Sequence, residues 1–152
     1  MKFTVLGDPI PQGSLKAFVP KGWKRPILTS DNKKTKPWRQ EIGQMCLECL
    51  KGESAAGRGV PMRLLVAFYF SRPKSVKSLA EKTTKPDLDK LVRAVLDALT
   101  GIAYEDDSQV TEIMASKQYG YPARAEITLT EALPPEKPYE RQPVKDNPRL
   151  PF

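Results

Sequence analysis

Asp87-Leu88-Asp89-Lys90-Leu91-Val92-Arg93-Ala94-Val95-Leu96-Asp97-Ala98-Leu99-Thr100 is the stretch on which the fold turns. Leu88, Leu91, Val92, Val95, Leu96 and Leu99 recur at helical spacing, which predicts an amphipathic helix with one face on a core. Pro86 biases Lys85 toward an extended conformation and sets a sharp start. Asp87 then stands at the N-cap and Asp89 in the first turn, where the helix dipole favours acids, and Gly101 marks the end. Upstream, Met62 to Phe70 is a nearly continuous apolar run that suits a strand buried on both faces. Downstream, Gln109–Tyr119 and Arg124–Thr130 read as an antiparallel pair turned at Gly120-Tyr121-Pro122. In the second of these, Ala125, Ile127 and Leu129 alternate with Arg124, Glu126 and Thr128, the pattern of a strand with one wet face.

Working outward, residues 2–6 form a short first strand. Gly7 to Asn32 is rich in proline and glycine and holds a β-hairpin around Leu15 to Val19. From Gln12 to Lys36 there are seven Lys/Arg against one Asp, with Phe18 and Trp23 between them. That composition suits either a loop tracking a nucleic-acid backbone or a solvated loop. Lys36 to Lys51 is the first helix, with Pro37 in its first turn. Cys46 and Cys49 have CxxC spacing, yet both fall on its apolar stripe with Trp38, Ile42, Met45 and Leu50. Two cysteines alone cannot complete a tetrahedral zinc site, so they read as core. Gly52 to Gly59 is a small-residue connector and Ser71 to Pro86 an exposed loop. The order predicts a small α/β domain, a mixed sheet with two main helices packed on it, over residues 1–132. Residues 133–152 carry six prolines and little periodicity; they read as a tail that is disordered or draped on the body.

The chain has 152 residues and no histidine. The missing histidine excludes Ser-His-Asp and Cys-His nucleophilic machinery and histidine-ligated zinc. Hydrolytic chemistry would have to come from carboxylates, lysines and an oxygen-bound metal. The longest apolar run is too short to span a bilayer, which takes about 20 residues. No signal peptide is evident, so a cytoplasmic location without membrane association is expected. Net charge is +7, but the stretch from Pro86 to Asp107 carries six acids and two bases, leaving +11 on the remainder. An acidic cluster within a basic protein suits a metal-dependent enzyme acting on a polyanion; two merely solvated faces would give the same count.

The acids fall in two groups, Asp87 with Asp89 at the start of the helix and Glu105-Asp106-Asp107 after it. Capping explains one aspartate well and a second acceptably, but not the acidic group beyond the helix. The helix is about 20 Å long at about 1.5 Å per residue, so the second group reaches the first only if the chain folds back along a strand. Gathered together, such carboxylates suit Mg²⁺, a hard cation taking oxygen ligands, and phosphodiester hydrolysis. Asp89, Arg93 and Asp97 share one polar face. They form surface salt bridges, or else Arg93 faces a phosphate and stabilises transition-state charge. Lys117 is a second cationic candidate.

At these residues the sequence resembles the RusA family of Holliday junction resolvases, including its phage and prophage members. The match lies in Lys85-Pro86-Asp87-Leu88-Asp89-Lys90-Leu91-Val92-Arg93-Ala94-Val95-Leu96-Asp97-Ala98-Leu99 and in Asp106-Asp107-Ser108-Gln109-Val110. Pro11-Gln12-Gly13-Ser14 and Lys117-Gln118-Tyr119-Gly120 add to it. The resemblance implies a homodimeric nuclease that uses Mg²⁺, with Mn²⁺ able to substitute. Such an enzyme nicks four-way DNA junctions symmetrically, in recombination and repair. It implies Asp87, Asp89 and Asp107 as catalytic metal ligands, with Asp106 beside them. The family's active-site lysine falls on Arg93, which stays charged but cannot give up a proton. Lys90 stands where the family often has asparagine. Lys16, Lys85, Lys90 and Lys117 are expected to contact DNA. Two other readings remain: a non-catalytic DNA-binding or scaffold relative, and a less selective branched-DNA nuclease or phosphoesterase.

Overall fold

The apolar run at the middle of the chain becomes β4 (Met62–Phe70), an inner strand of a mixed four-stranded sheet. The computed structural model describes residues 1–13, 15–30, 32–53, 55–77 and 81–132, without the side chains of 15, 16 and 28–30. The expected tail at 133–152 lies outside the described residues. In chain order the other elements are β1 (Lys2–Leu6), β2 (Leu15–Phe18), β3 (Ile27–Ser30), α1 (Thr35–Leu50), α2 (Leu88–Leu99), β5 (Val110–Tyr119) and β6 (Arg124–Glu131). A single 3-10 turn, Asp107–Gln109, precedes β5. β2 and β3 form a separate antiparallel hairpin, Leu15 opposite Ser30, at the place its turn residues predict. Phe18 and Trp23 of this arm are 50% and 62% exposed, beside exposed Lys21, Lys24 and Arg25.

The main sheet runs β1-β6-β4-β5. Two sequence expectations are corrected here. β5 and β6 are not a hairpin: β5 pairs parallel to β4, with α2 in the connection, and β6 pairs antiparallel to β4 on its other side. The alternation in these segments specifies which face is buried but not which strand is the neighbour, so the short Gly120–Pro122 link mimicked a hairpin turn. The link instead passes across the end of β4, where the Gly120 N–H donates to the Phe70 carbonyl at 2.9 Å. A Cβ on Gly120 would lie 2.7 Å from Tyr69 Cδ1, so the crossing needs glycine. Secondly, β4 is buried on one face only. Met62, Leu64, Val66, Phe68 and Phe70 are buried, whereas Arg63, Leu65, Ala67 and Tyr69 are half-covered. The apolar side chains of both helices join a single core on one face, and the other face carries the ion pairs Arg63–Glu112 and Arg124–Glu126.

The helix α1 buries Trp38, Ile42, Cys46 and Leu50, and α2 buries Leu91, Ala94, Val95, Ala98 and Leu99. Each fully buried Leu or Val contributes about 1.5–3 kcal/mol. Both cysteines are free, Cys46 within the core and Cys49 half-buried, as their stripe position requires. Small residues bring the helices together: a Cβ on Gly43 would meet Ile102 Cδ1 at 2.9 Å and the Ala98 carbonyl at 3.6 Å. Leu88, Val92 and Leu96 are left half-exposed along the flank of α2 that faces β5. Among the described residues no helix is long and apolar enough to cross a membrane.

Candidate active site

Asp87 occupies the N-cap of α2 with extended backbone, yet its side chain makes no capping bond. Its Oδ2 lies 3.3 Å from Lys90 Nζ, one turn along, so the carboxylate is held at the surface rather than spent on the helix. Asp89, in the first turn, is exposed. The segment leading into α2 is anchored from β5. Lys117 Nζ donates to the carbonyls of Thr84 at 2.9 Å and Pro86 at 2.7 Å, next to Asp87. Lys82 reinforces this: its N–H donates to the Lys117 carbonyl, its Nζ to Thr84 Oγ1, and its ammonium lies over the Phe70 and Tyr119 rings.

The second acidic group is organised by a buried glutamine. Gln109 Oε1 accepts from the backbone N–H groups of Glu105 and Asp106, and its Nε2 donates to the Gly57 and Val60 carbonyls. All four bonds are made from a side chain in a residue only 8% exposed, and they pin the acidic loop to the 57–60 connector. Asp106 Oδ1 accepts the Ser108 N–H at 2.9 Å, completing a capping box with Gln109. Hydrogen bonding from Ser108, from its side chain first and then from its backbone N–H, holds the Asp106 carboxyl below the usual range. The sequence signal for Gln109 is the Asp-x-x-Gln spacing from Asp106, the pattern of a capping box. Tyr104 is wholly buried and its hydroxyl donates to the Leu96 carbonyl at 3.0 Å. Burial, and then the charge of nearby Asp107, push this phenol well above its usual range, so it remains a proton donor.

These elements bring Asp89, Arg93 and Asp107 onto one open groove of about 440 Å³ between α2 and β5, with Leu88, Val92, Leu96 and Ala115. Asp87 opens instead into an adjoining pocket of about 380 Å³ with Lys85, Lys90, Gln12 and Gly13. Asp106 faces a third concavity, beside Arg58 and Glu105. Among the described residues no three acids or cysteines are gathered closely enough to cage a metal. Arg93 pairs with no carboxylate among the described residues, while Asp97 bridges to Arg39 across the helix pair at 3.3 Å. Of the two readings of Arg93, the ladder of bridges along α2 is not formed among the described residues, which leaves its guanidinium open to an anion. Lys85 is exposed, and the side chain of Lys16 lies outside the described residues. The Lys117 ammonium is turned onto backbone carbonyls.

The sequence profile of the family described as Endodeoxyribonuclease RusA matches residues 8–130. The chain is 32% identical over 142 residues to the protein YqaN of Bacillus subtilis (strain 168), a match covering 86% of this chain and 96% of that one. It is 35% identical over 75 residues to crossover junction endodeoxyribonuclease rusA of Lactococcus phage r1t, a match covering 49% of this chain and 57% of the phage protein.

Proposed function

The chain belongs to the RusA family of endodeoxyribonucleases, and from that premise we propose that it is a homodimeric, Mg²⁺-dependent resolvase that nicks four-way DNA junctions. The observation that carries this reading is the groove between α2 and β5, lined by Asp89, Asp107 and Arg93, whose guanidinium pairs with no carboxylate among the described residues. A basic chain of net charge +7 attracts the phosphate backbone, and the exposed Phe18 and Trp23 of the β2–β3 arm offer faces on which splayed bases can stack.

The donor chemistry fits Mg²⁺. All candidate ligands are carboxylate oxygens, and Mg²⁺ is held by one or two carboxylates together with substrate phosphate and water. Asp87, Asp89 and Asp107 would hold it, with Mn²⁺ able to substitute; Asp106 is committed to its cap. The bound ion would stabilise charge on the scissile phosphodiester and favour attack by water. Arg93 grips a non-bridging phosphate oxygen and opposes the charge that builds there. An arginine keeps its proton, so its role is electrostatic. Lys85 and Lys90 lie beside Asp87 and neutralise neighbouring phosphates. Lys117 holds the backbone from which Asp87 and Asp89 project.

The test compares a labelled four-way junction with linear duplex of the same sequence, in Mg²⁺, in EDTA, and with Asp89→Asn. Expected are paired symmetric nicks in the junction alone, abolished by EDTA and reduced at least about 10³-fold by the substitution, with junction binding retained. Binding without cutting in either Mg²⁺ or Mn²⁺ would leave a non-catalytic DNA-binding protein, and equal cutting of duplex a general nuclease.

A further inference from the structure

Gln12 stands on a fixed stem. Its N–H donates to the Lys90 carbonyl in the first turn of α2 at 2.9 Å. The Pro11 carbonyl just before it accepts from Asn32 Nδ2 at 3.1 Å and from Thr35 Oγ1 at 2.9 Å. The backbone that carries Gln12 is thereby tied to the start of α1 and to α2 about one turn from Asp87. Its side chain is not secured in the same way. Gln12 Oε1 is shielded from solvent and accepts no hydrogen bond among the described residues. A shielded acceptor forfeits its hydration with no return, and buried polar atoms of folded chains are nearly all paired. The carboxamide therefore lacks a donor that the fold does not supply.

The position of Gln12 suggests where that donor comes from. Gln12 lines the pocket of about 380 Å³ that holds Asp87, Lys85 and Lys90. With Asn32 it also lines a second cavity of about 630 Å³, beside Lys36, Arg39 and Asp97. Two of the cations around it are turned to carboxylates, Lys90 to Asp87 and Arg39 to Asp97, each at 3.3 Å. Phosphate contacts from lysines fix the register of DNA but carry no sequence information. A carboxamide oxygen does carry it. In the major groove cytosine presents the N4 amino group and adenine the N6 amino group, whereas guanine O6 and thymine O4 are acceptors. An acceptor such as Oε1 bonds the first two bases and is repelled by the others. No hydrogen bond holds Oε1 where it lies, and the terminal torsion of glutamine is broad, so rotation turns it into the Asp87 pocket.

We propose that Gln12 reads the base beside the scissile phosphate, its Oε1 accepting a hydrogen bond from the exocyclic amino group of cytosine or adenine. The inference rests on the nuclease reading above and adds to it a base preference at the cut. Lys85 and Lys90 hold the backbone on either flank of the pocket, and Gln12 supplies the contact that differs from one sequence to the next. It accounts for an anchored polar side chain that lines the Asp87 pocket with its acceptor unmet.

Four-way junctions with a fixed branch point are made with each base in turn on either side of the nicked phosphate. The kcat/KM for nicking in Mg²⁺ is measured for wild type and for Gln12→Ala, each shown to be folded by circular dichroism. Wild type is expected to favour cytosine or adenine over guanine and thymine at one of the two positions by at least about 5-fold. Gln12→Ala is expected to cut all four at one rate. The amino group is then deleted, with 2-pyrimidinone in place of cytosine or purine in place of adenine. Deletion from the favoured base should slow wild type by the same factor and leave Gln12→Ala no slower, and the base that responds tells cytosine from adenine. A merely structural Gln12 would slow every junction alike on substitution and leave the preference in place. That result, or a wild type indifferent to the amino group, would overturn the base contact while the nuclease reading stands. A wild type that cuts no junction of any sequence removes the nuclease reading, and the base contact with it.

Discussion

Asp106 and Asp107 are adjacent in the chain and differ in their duties. Asp106 accepts the Ser108 N–H, while the side chain of Asp107 makes no hydrogen bond among the described residues and faces the groove. Asp107→Asn is accordingly expected to abolish junction cutting with the urea midpoint unchanged. Asp106→Ala should lower that midpoint slightly and leave cutting by the folded protein intact. Gln109 carries more of the structure than either. Gln109→Leu removes the partner of the Glu105 and Asp106 N–H groups and of the Val60 carbonyl, while the Gly57 carbonyl keeps the Val60 N–H, and should cost about 2–3 kcal/mol, measured by urea unfolding. Cys46 offers a pH readout. Burial, followed by the charge of Cys49, raises its thiol from 9.0 to about 11. A raised pKa means that the folded chain retains the proton longer. This stabilising contribution is complete below pH 9 and is lost as pH rises toward 11. Unfolding midpoints measured across that range should fall, and Cys49 should react with a disulfide reagent before Cys46.

At the scale of elements, α2 was readable from its periodicity to within one residue at either end, because an apolar stripe at helical spacing has few competing explanations. Its partners were not readable. Asp97 lies in line with Arg93 along the helix but bonds to Arg39 of α1, a contact set by how the helices cross. Gly43 permits that crossing, and Gly43→Leu should overpack it and cost about 1–3 kcal/mol in thermal or urea unfolding. Lys117 shows the same limit on β5. Its type and position suggested a DNA contact, whereas its ammonium secures the Thr84 and Pro86 carbonyls. Lys117→Met should raise the Mg²⁺ concentration needed for half-maximal cutting, by loosening the segment that carries Asp87 and Asp89. Lys117→Arg should restore part of that loss. Equal effects of both substitutions on junction affinity, with no change in the Mg²⁺ requirement, would identify Lys117 as a DNA contact instead.

For the molecule as a whole, the proposed metal would serve function rather than the fold. The core is assembled without a metal cage among the described residues, so EDTA should abolish cutting while leaving the thermal midpoint of the free protein unchanged. Composition alone excluded histidine-based chemistry, and the spacing of apolar residues alone defined both helices, β4 and the mixed α/β class. The Asp-x-Asp element and the later acidic group were equally plain, since their residue types are local facts. The tertiary structure decided that β5 and β6 lie on opposite sides of β4, because alternation marks a buried face and is silent about the neighbouring strand. It also decided that only one face of β4 is covered, since one-sided burial depends on where both helices pack. And it separated Asp106 from Asp107 and Asp87 from Asp107, because the reach of a carboxylate is set by the direction of the helix and strand that carry it, a relation between elements distant along the chain.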